Sequence, residues 1–167
     1  MERIIMQPGG SVLVPDRIEK RIELKAPVAR VWQAITDYRE FGEWFRVALT
    51  QPFQVGATVR GYILHPGYEH VLWEAEVEEM IPEKLFAYTW AHPKSLAKEV
   101  YKPDYTGEPR TLVEFRLEAT ATGTLLTVAE SGFDKLPGDR REQNYKNNEG
   151  GWEQQMKNIE GYLGKHA

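Results

Sequence analysis

The stretch Trp152–Leu163, with the sequence WEQQMKNIEGYL, decides the fold of this chain. Its large apolar side chains recur every three or four residues, which places them on one helical face: Trp152, Met156, Ile159 and Leu163. With the turn signal Pro137-Gly138 ahead of it, the pattern predicts a helix over residues 139–164. An apolar face of this size, after a run of strands, predicts a long helix lying across a curved sheet. Such a helix either seals a solid core or covers a cavity for an apolar ligand.

Two glycines interrupt this helix, Gly150 and Gly151. A glycine inside a helix costs about 1 kcal/mol relative to alanine. The pair therefore indicates that the helix bends, or that its backbone approaches the sheet or a ligand closely.

Ahead of the helix the hydrophobic period is two, which is typical of strands. The alternation predicts strands over residues 18–24, 58–65, 69–80, 86–90, 113–117 and 125–130. After the first of them, the spacing predicts a short helix from Val28 to Ile35 and a second one holding Phe41, Trp44 and Phe45, with Asp37 as its N-cap. Helices segregated from an antiparallel sheet define the α+β class.

The chain divides into a short arm and one domain. Residues 1–16 are predicted to form an N-terminal arm or hairpin around Pro8-Gly9-Gly10, and residues 17–167 form the domain. Residues 92–110 hold three prolines and one glycine and are predicted to be a long loop.

The composition of the chain excludes several classes of partner and chemistry. The chain has 167 residues, a net charge of −4 and no cysteine. The acidic balance argues against a nucleic-acid partner, and the lack of cysteine excludes disulfides and thiol chemistry. No segment approaches the ~20 apolar residues of a membrane helix. We expect a cytoplasmic protein that does not insert into membranes.

Six segments carry a resemblance to one known family. They are residues 21–37 (RIELKAPVARVWQAITD), 41–45 (FGEWF), 85–90 (LFAYTW), 111–115 (TLVEF), 130–133 (ESGF) and 150–152 (GGW). Together they resemble the activator of Hsp-90 ATPase homologue-like family of the START-like, helix-grip (SRPBCC) superfamily. The resemblance covers residues 18–165, and the arm before Arg17 lies outside it.

The resemblance implies a fold but not one reaction. It implies a curved antiparallel sheet of about seven strands gripping the C-terminal helix, two small helices closing one end, and a cavity between sheet and helix. Superfamily members carry lipids, sterols or plant hormones, some cyclise polyketides, and one branch stimulates a chaperone ATPase. An oxidoreductase role is not supported, because this chain has no Gly-rich dinucleotide motif and no cysteine for an iron–sulfur cluster. We expect no cofactor.

The candidate ligand-binding residues are aromatic and apolar side chains that share the inner face of the sheet or the helical stripe. They are Trp73, Phe86, Tyr88, Trp90, Phe115, Trp152 and Met156. Three polar residues are candidates for the rim of the cavity: His70, Tyr145 and Asn148. Rings with few polar groups are the usual wall of a small-molecule pocket.

Catalytic and metal-binding patterns are weak. No two of the four histidines have helical metal-ligand spacing, so no metal site is expected. Glu74, Glu76 and Glu78 alternate with apolar residues and belong to the solvated face. Glu79 breaks that alternation and is the carboxylate that is a candidate to face inward.

These patterns leave three functions open. The favoured prediction is that the protein binds a small, mostly hydrophobic molecule without transforming it. Alternatively, it is a pocket enzyme of cyclase or hydrolase type that uses His70 or Glu79 as its acid–base group. The third alternative is a module that binds a chaperone, another protein partner or a second copy of itself.

Overall fold

The computed structural model describes residues 4–6, 13–93 and 95–166 of the chain. The strands are β1 (Ile4–Met6), β2 (Leu13–Pro15), β3 (Arg17–Leu24), β4 (Val47–Leu49), β5 (Thr58–Ile63), β6 (Leu72–Ile81), β7 (Leu85–Ala91), β8 (Arg110–Ala119) and β9 (Thr124–Ser131). The helices are α1 (Val28–Thr36), α2 (Tyr38–Phe45) and α3 (Gly138–Lys165), with a 3₁₀ turn at Phe133–Lys135.

Seven of the described strands form one antiparallel sheet in the order β3-β9-β8-β7-β6-β5-β4. From β4 to β9 each strand pairs with the next one along the chain, while β3 closes the other edge against β9. The short β1 and β2 pair separately, with Ile5 opposite Val14. This is the α+β helix-grip fold that the sequence predicted. The pattern did not reveal β4, because its three residues are too few to show a period.

The two short helices follow β3, as predicted. Asp37 ends α1 and caps α2, since its Oδ1 accepts from the backbone N–H groups of Arg39 at 2.9 Å and Glu40 at 3.2 Å. Gly42 in the middle of α2 permits a close crossing, because a Cβ there would lie 2.5 Å from the carbonyl oxygen of Val47. Real Cβ atoms do not approach an oxygen so closely, so this position requires glycine.

A β-bulge in β6 changes the exposure of one predicted residue. Val77 pairs with Tyr88 and Glu79 pairs with Ala87, so Glu78 is an extra residue between them. The bulge shifts the alternation of inward and outward side chains by one residue. As a result, both Glu78 and Glu79 are exposed. The expectation that Glu79 faces inward is therefore wrong, and Glu79 is not an acid–base group of the interior.

The helix predicted over residues 139–164 extends over Gly138–Lys165. Its buried face carries Tyr145 together with the four residues of the predicted stripe: Trp152, Met156, Ile159 and Leu163. The paired glycines do not mediate close packing on the sheet, because a Cβ added at Gly150 or Gly151 would meet no atom within 4 Å. The interpretation that the helix backbone approaches the sheet at this point is wrong.

Candidate functional site

A cavity of about 190 Å³ opens where α3 passes the ends of β5, β6 and β7. It lies beneath the segment from His92 to Pro109 that connects β7 to β8, hereafter the connecting segment. Its apolar wall consists of Ile63, Val71, Leu72, Trp73, Trp90, Ala91, Pro93, Leu96 and Tyr105. Its polar groups are Glu74, His92, Asn144, Asn147 and Asn148. The combination of apolar walls with a few polar groups is typical of small-molecule sites.

A smaller cavity of about 90 Å³ adjoins the first one along α3. The two share Trp90, Asn147 and Asn148, and the second is completed by Phe45, Gly151, Trp152 and Gln155. Since Gly151 has no side chain, the helix surface is recessed at this point. The two cavities lie side by side along the helix and are together called the recess.

Two tyrosine hydroxyls hold the connecting segment against the start of β6. The Tyr101 hydroxyl accepts from the backbone N–H of Leu72 at 2.7 Å, and the Tyr105 hydroxyl donates to the carbonyl oxygen of the same residue. The two hydroxyls are 2.6 Å apart. Because the proton of Tyr105 is used on Leu72, Tyr101 donates to Tyr105. Both backbone groups of Leu72 are satisfied by side chains of the segment that covers the cavity.

Both ends of the connecting segment are also fastened to α3. Arg140 Nη1 donates to the carbonyl oxygen of His92 at 2.9 Å and to Glu108 Oε2 at 3.1 Å. Near the start of the segment, His70 Nε2 lies 2.8 Å from the carbonyl oxygen of Leu96. The cavity is thus bounded by a cover that is hydrogen-bonded on several sides.

Behind the cavity wall lies a fully buried carboxylate, Glu130, which is 0% exposed. Neutral donors surround both of its oxygens. Trp152 Nε1 lies 2.9 Å from Oε1, and Trp90 Nε1 lies 2.7 Å from Oε2. Asn148 Nδ2 lies 2.9 Å from Oε1, and the Thr111 hydroxyl also donates to Oε2. This number of donors matches the acceptor capacity of an ionised carboxylate.

The ionisation of Glu130 reflects a balance of opposing effects. Burial is the largest and raises the pKa, because it removes the charge from water. The hydrogen bond and charge of His92, followed by the hydrogen bonds from Thr111 and Trp90, act in the opposite direction and together hold the pKa of Glu130 below its ordinary value. The carboxylate is therefore a buried anion at neutral pH, with His92 as its ionisable partner and no lysine or arginine among its described hydrogen-bond donors.

His92 connects this anion to the cavity. It lines the cavity, and its Nε2 lies 2.7 Å from Thr111 Oγ1 and 3.4 Å from Glu130 Oε2. The ring of Phe133 packs against the imidazole, with 6.0 Å between the centroids. The His92 side chain is 6% exposed, so its position is set by packing as well as by hydrogen bonds.

Four of the ten candidate binding residues line the recess. Trp73, Trp90 and Asn148 belong to the larger cavity, and Trp152 belongs to the smaller one. Trp90 and Trp152 stack at 5.5 Å between centroids. The indoles of Trp90 and Trp152 and the Asn148 amide meet on Glu130, so the buried carboxylate organises this part of the wall.

Three other candidates fill the interior instead of lining a cavity. Phe86, Tyr88 and Phe115 are fully buried, with Phe86 stacked on Phe115 at 6.1 Å. The Tyr88 hydroxyl is buried and has no hydrogen-bond partner among the described residues. Burial first, and the charge of Glu130 second, raise the pKa of Tyr88 well above its ordinary value. The space between the sheet centre and α3 is therefore packed with rings, and the open space lies to one side.

The remaining candidates lie outside the recess. Met156 is part of the buried stripe of α3. Tyr145 packs against Phe133 at 5.3 Å, and its hydroxyl lies 3.3 Å from the carbonyl oxygen of Arg17. His70 holds the connecting segment through Leu96 and does not contribute to the cavity wall.

The polar residues that organise the site were not predicted from the sequence, although a signal for them exists. Glu130 has the same strand parity as Leu126 and Val128, which places it on the inner face of β9. Thr111 has the parity of Val113 and Phe115, and His92 that of Trp90. Continuing each alternation to the end of its strand would have brought all three to the same end of the sheet.

Neither a metal cluster nor a membrane-spanning helix occurs in the described part of the chain. Within residues 4–6, 13–93 and 95–166, no group of three or more His, Cys, Asp or Glu side chains is arranged to hold a metal ion. None of the described helices is both long enough and apolar enough to cross a bilayer.

The fold and the recess define a helix-grip protein with a small cavity beside its C-terminal helix. The chain belongs to the family described as activator of Hsp90 ATPase homolog 1-like protein, whose match spans residues 25–164. The resemblance noted in the sequence is thereby confirmed. Among curated proteins, no sequence matches this chain significantly.

Solved structures show the same fold. Protein MLL2253 from Mesorhizobium loti is 25% identical with a TM-score of 0.69, over 90% of this chain and 98% of that one. DynU16, from the dynemicin biosynthetic locus, is 26% identical with a TM-score of 0.66, over 89% of this chain and 47% of that one. The Aha1 dimer from Colwellia psychrerythraea is 22% identical with a TM-score of 0.51, over 69% of this chain and 75% of that one.

Proposed function

We propose that this protein binds a small, mostly hydrophobic molecule in the recess between α3, the ends of β5 to β7 and the connecting segment. The observation that carries the proposal is the wall itself, in which the indole rings of Trp73 and Trp90 meet aliphatic side chains such as Leu72 and Leu96. The similarity to DynU16, a protein from the dynemicin biosynthetic locus, supports the same function.

The volume sets the size of the ligand. A cavity of about 150 Å³ lined by apolar side chains holds a benzene ring in another protein. The larger cavity here, about 190 Å³, suits a single aromatic ring with a small substituent. A longer substituent can extend along α3 into the adjoining space of about 90 Å³. The proposed binding residues are therefore Trp73, Trp90, Asn148 and Trp152 from the sequence-based set, with His92 and Leu96 added.

Apolar burial gives moderate affinity. An aromatic ligand that buries ~200 Å² of apolar surface gains about 5 kcal/mol at ~25 cal/mol per Å², before the cost of association. This corresponds to weak binding, in the high micromolar to millimolar range, unless the polar groups of the recess add hydrogen bonds. Ligands with a polar group at one end are therefore expected to bind best.

Calorimetric titration with toluene, p-cresol, indole and longer alkylphenols tests the proposal. Asn147→Phe should abolish binding, because Asn147 is an exposed helical residue that borders both cavities and a ring there fills the recess. Glu149→Phe is the matched control, since Glu149 is an exposed residue on the same helix that borders neither cavity. Equal binding by both variants, or no saturable binding by the wild type, would reject the recess as the ligand site.

A pocket enzyme is the second candidate function. The observation that favours it is the chain His92–Thr111–Glu130, in which a histidine bordering the cavity is backed by a buried carboxylate. Such an arrangement orients an imidazole. Under this candidate, His92 takes the acid–base role that the sequence suggested for His70 or Glu79. Turnover of a ligand that is lost in His92→Gln, with binding retained, would favour the enzyme over the carrier.

A further inference from the structure

We infer that His92 presents a bare imidazole Nδ1 to the recess, so that the site selects ligands carrying a hydroxyl or another hydrogen-bond donor at one end. The inference rests on the proposed ligand site and names the chemistry of the ligand that fits it. It follows from the positions of the protons in the network around Glu130.

The direction of the bond between Thr111 and Glu130 is fixed by the other donors on the carboxylate. The Thr111 hydroxyl is in hydrogen-bond contact with Oε2, and the same oxygen accepts from Trp90 Nε1 at 2.7 Å. The second carboxylate oxygen accepts from Trp152 and Asn148. A carboxyl group that receives N–H donors on both oxygens has no favourable place for a proton of its own. Glu130 is therefore ionised. The single hydroxyl proton of Thr111 is then donated to Glu130 Oε2.

The tautomer of His92 follows from the position of that proton. Thr111 Oγ1 has given its only proton to Glu130, so toward His92 it acts as an acceptor. The contact of 2.7 Å between Nε2 and Oγ1 is then a hydrogen bond only if Nε2 carries the proton. In a neutral imidazole the other nitrogen is unprotonated. When His92 is neutral, the buried network therefore fixes it in the Nε2–H form and leaves Nδ1 as an acceptor.

The imidazole Nδ1 of His92 is available to a ligand. It forms no hydrogen bond with any described residue, although His92 borders the cavity. It is also not sealed in the interior. The described polar atoms that are buried without a partner lie elsewhere, on Arg30, Glu40, Trp73, Tyr88 and Arg141. An acceptor at the cavity wall, with aromatic rings around it, matches a phenol or another hydroxylated ring.

The tautomer can be measured without any ligand. Long-range ¹H–¹⁵N NMR of the full chain at about pH 8, above the ordinary His pKa of about 6.5, distinguishes the two nitrogens of each imidazole. We expect a protonated Nε2 and an unprotonated Nδ1 for His92, unchanged in Thr111→Ser and lost as a single tautomer in Thr111→Val. A protonated Nδ1 in the wild type would overturn the inference, whether or not the valine variant folds.

The ligand preference is measured by calorimetry with three matched compounds, p-cresol, 4-methylanisole and toluene. We expect p-cresol to bind on the order of tenfold more tightly than 4-methylanisole, as one hydrogen bond contributes. In His92→Leu this ratio should fall to about one, while toluene still binds. His166→Gln, at the far end of α3, is the control and should keep the wild-type ratio.

The outcomes separate the two proposals. If toluene binds but p-cresol has no advantage over 4-methylanisole in the wild type, the inference about His92 fails and the apolar recess stands. If none of the three compounds binds, the ligand site fails and the inference fails with it. If the ratio persists in His92→Leu, another group accepts the hydroxyl and the role assigned to His92 is wrong.

Discussion

Trp152 on α3 donates a buried hydrogen bond of 2.9 Å from its indole Nε1 to the carboxylate Oε1 of Glu130 on β9. This hydrogen bond links the long helix α3 to the sheet, the two parts that pack together in a helix-grip fold. It also places a charge behind the aromatic wall of the recess. The same pair of residues therefore contributes both to the stability of the fold and to the wall of the proposed ligand site.

Two substitutions of Trp152 distinguish the contribution of its ring packing to stability from that of its hydrogen bond. Trp152→Ala removes both and should lower the free energy of unfolding by about 3–5 kcal/mol, since the side chain is 2% exposed. Trp152→Phe keeps most of the packing but removes one donor from Glu130, and should cost about 1–3 kcal/mol. Urea denaturation at neutral pH measures both values. An alanine variant as stable as the wild type would show that Trp152 does not hold α3 on the sheet.

The ionised state of Glu130 predicts a pH dependence of stability. Its pKa in the folded protein is held below the ordinary glutamate value of 4.5. The stability that it contributes is therefore fully present above that value and is lost as the pH falls through the lower folded pKa. The wild type should lose more stability than Glu130→Gln between neutral pH and about pH 3.

The difference between these two proteins isolates Glu130, because the other carboxylates with lowered pKa values, such as Glu19 and Asp104, are common to both. Urea denaturation at a series of pH values measures the difference. Parallel stability curves for the two proteins would mean that folding does not lower the pKa of Glu130. A wild type that instead gains stability relative to Glu130→Gln as the pH falls would mean that the buried carboxyl is neutral at pH 7, and the proton positions assigned around it would be wrong.

Two glycine substitutions should have opposite effects. Gly42→Ala places a Cβ 2.5 Å from the Val47 carbonyl oxygen and should destabilise the protein by about 1–3 kcal/mol. Gly150→Ala meets no atom within 4 Å and should stabilise the helix by up to about 1 kcal/mol. Thermal or urea unfolding measures both changes. A destabilising Gly150→Ala would indicate that the helix needs flexibility at this point.

The hydroxyl of Tyr101 should restrain the cover of the cavity. Tyr101→Phe leaves the backbone N–H of Leu72 without its acceptor, so amide hydrogen exchange at Leu72 should become faster. The same increase is expected in residues 95–106 of the connecting segment. Tyr68→Phe, which changes an exposed tyrosine, is the control. Unchanged exchange in Tyr101→Phe would show that other contacts hold the segment.

The fold could be predicted from the sequence because its signals are local and repeated. The stripe from Trp152 to Leu163 and the alternation in β6, β7 and β8 each extend over several periods, and the family resemblance supplied their order. The three residues of β4 carry no such signal. The inward placement of Glu79 was wrong because a bulge between Val77 and Glu79 depends on strand pairing, which no single strand encodes.

The site was harder to predict because it depends on which rings leave space between them. Phe86, Tyr88 and Phe115 have the same inner-face pattern as Trp73 and Trp90, but the first three pack into the interior and the last two border the recess. The path of α3 relative to the sheet decides this difference. Apart from its strand parity with Leu126 and Val128, nothing in the sequence marks Glu130 as a buried polar residue. Only the structure brings its donors from β7, β8 and α3 together.

Intermolecular NOEs between bound p-cresol and the methyl groups of the protein show whether an aromatic ligand occupies the recess. A ligand in the recess should give NOEs to Val71, Leu72 and Leu96, which border the cavity. It should give none to Ile159 or Leu163, which lie on the buried stripe of α3. NOEs to Ile159 or Leu163 without any to the cavity methyls would place the ligand elsewhere and would contradict the proposed site.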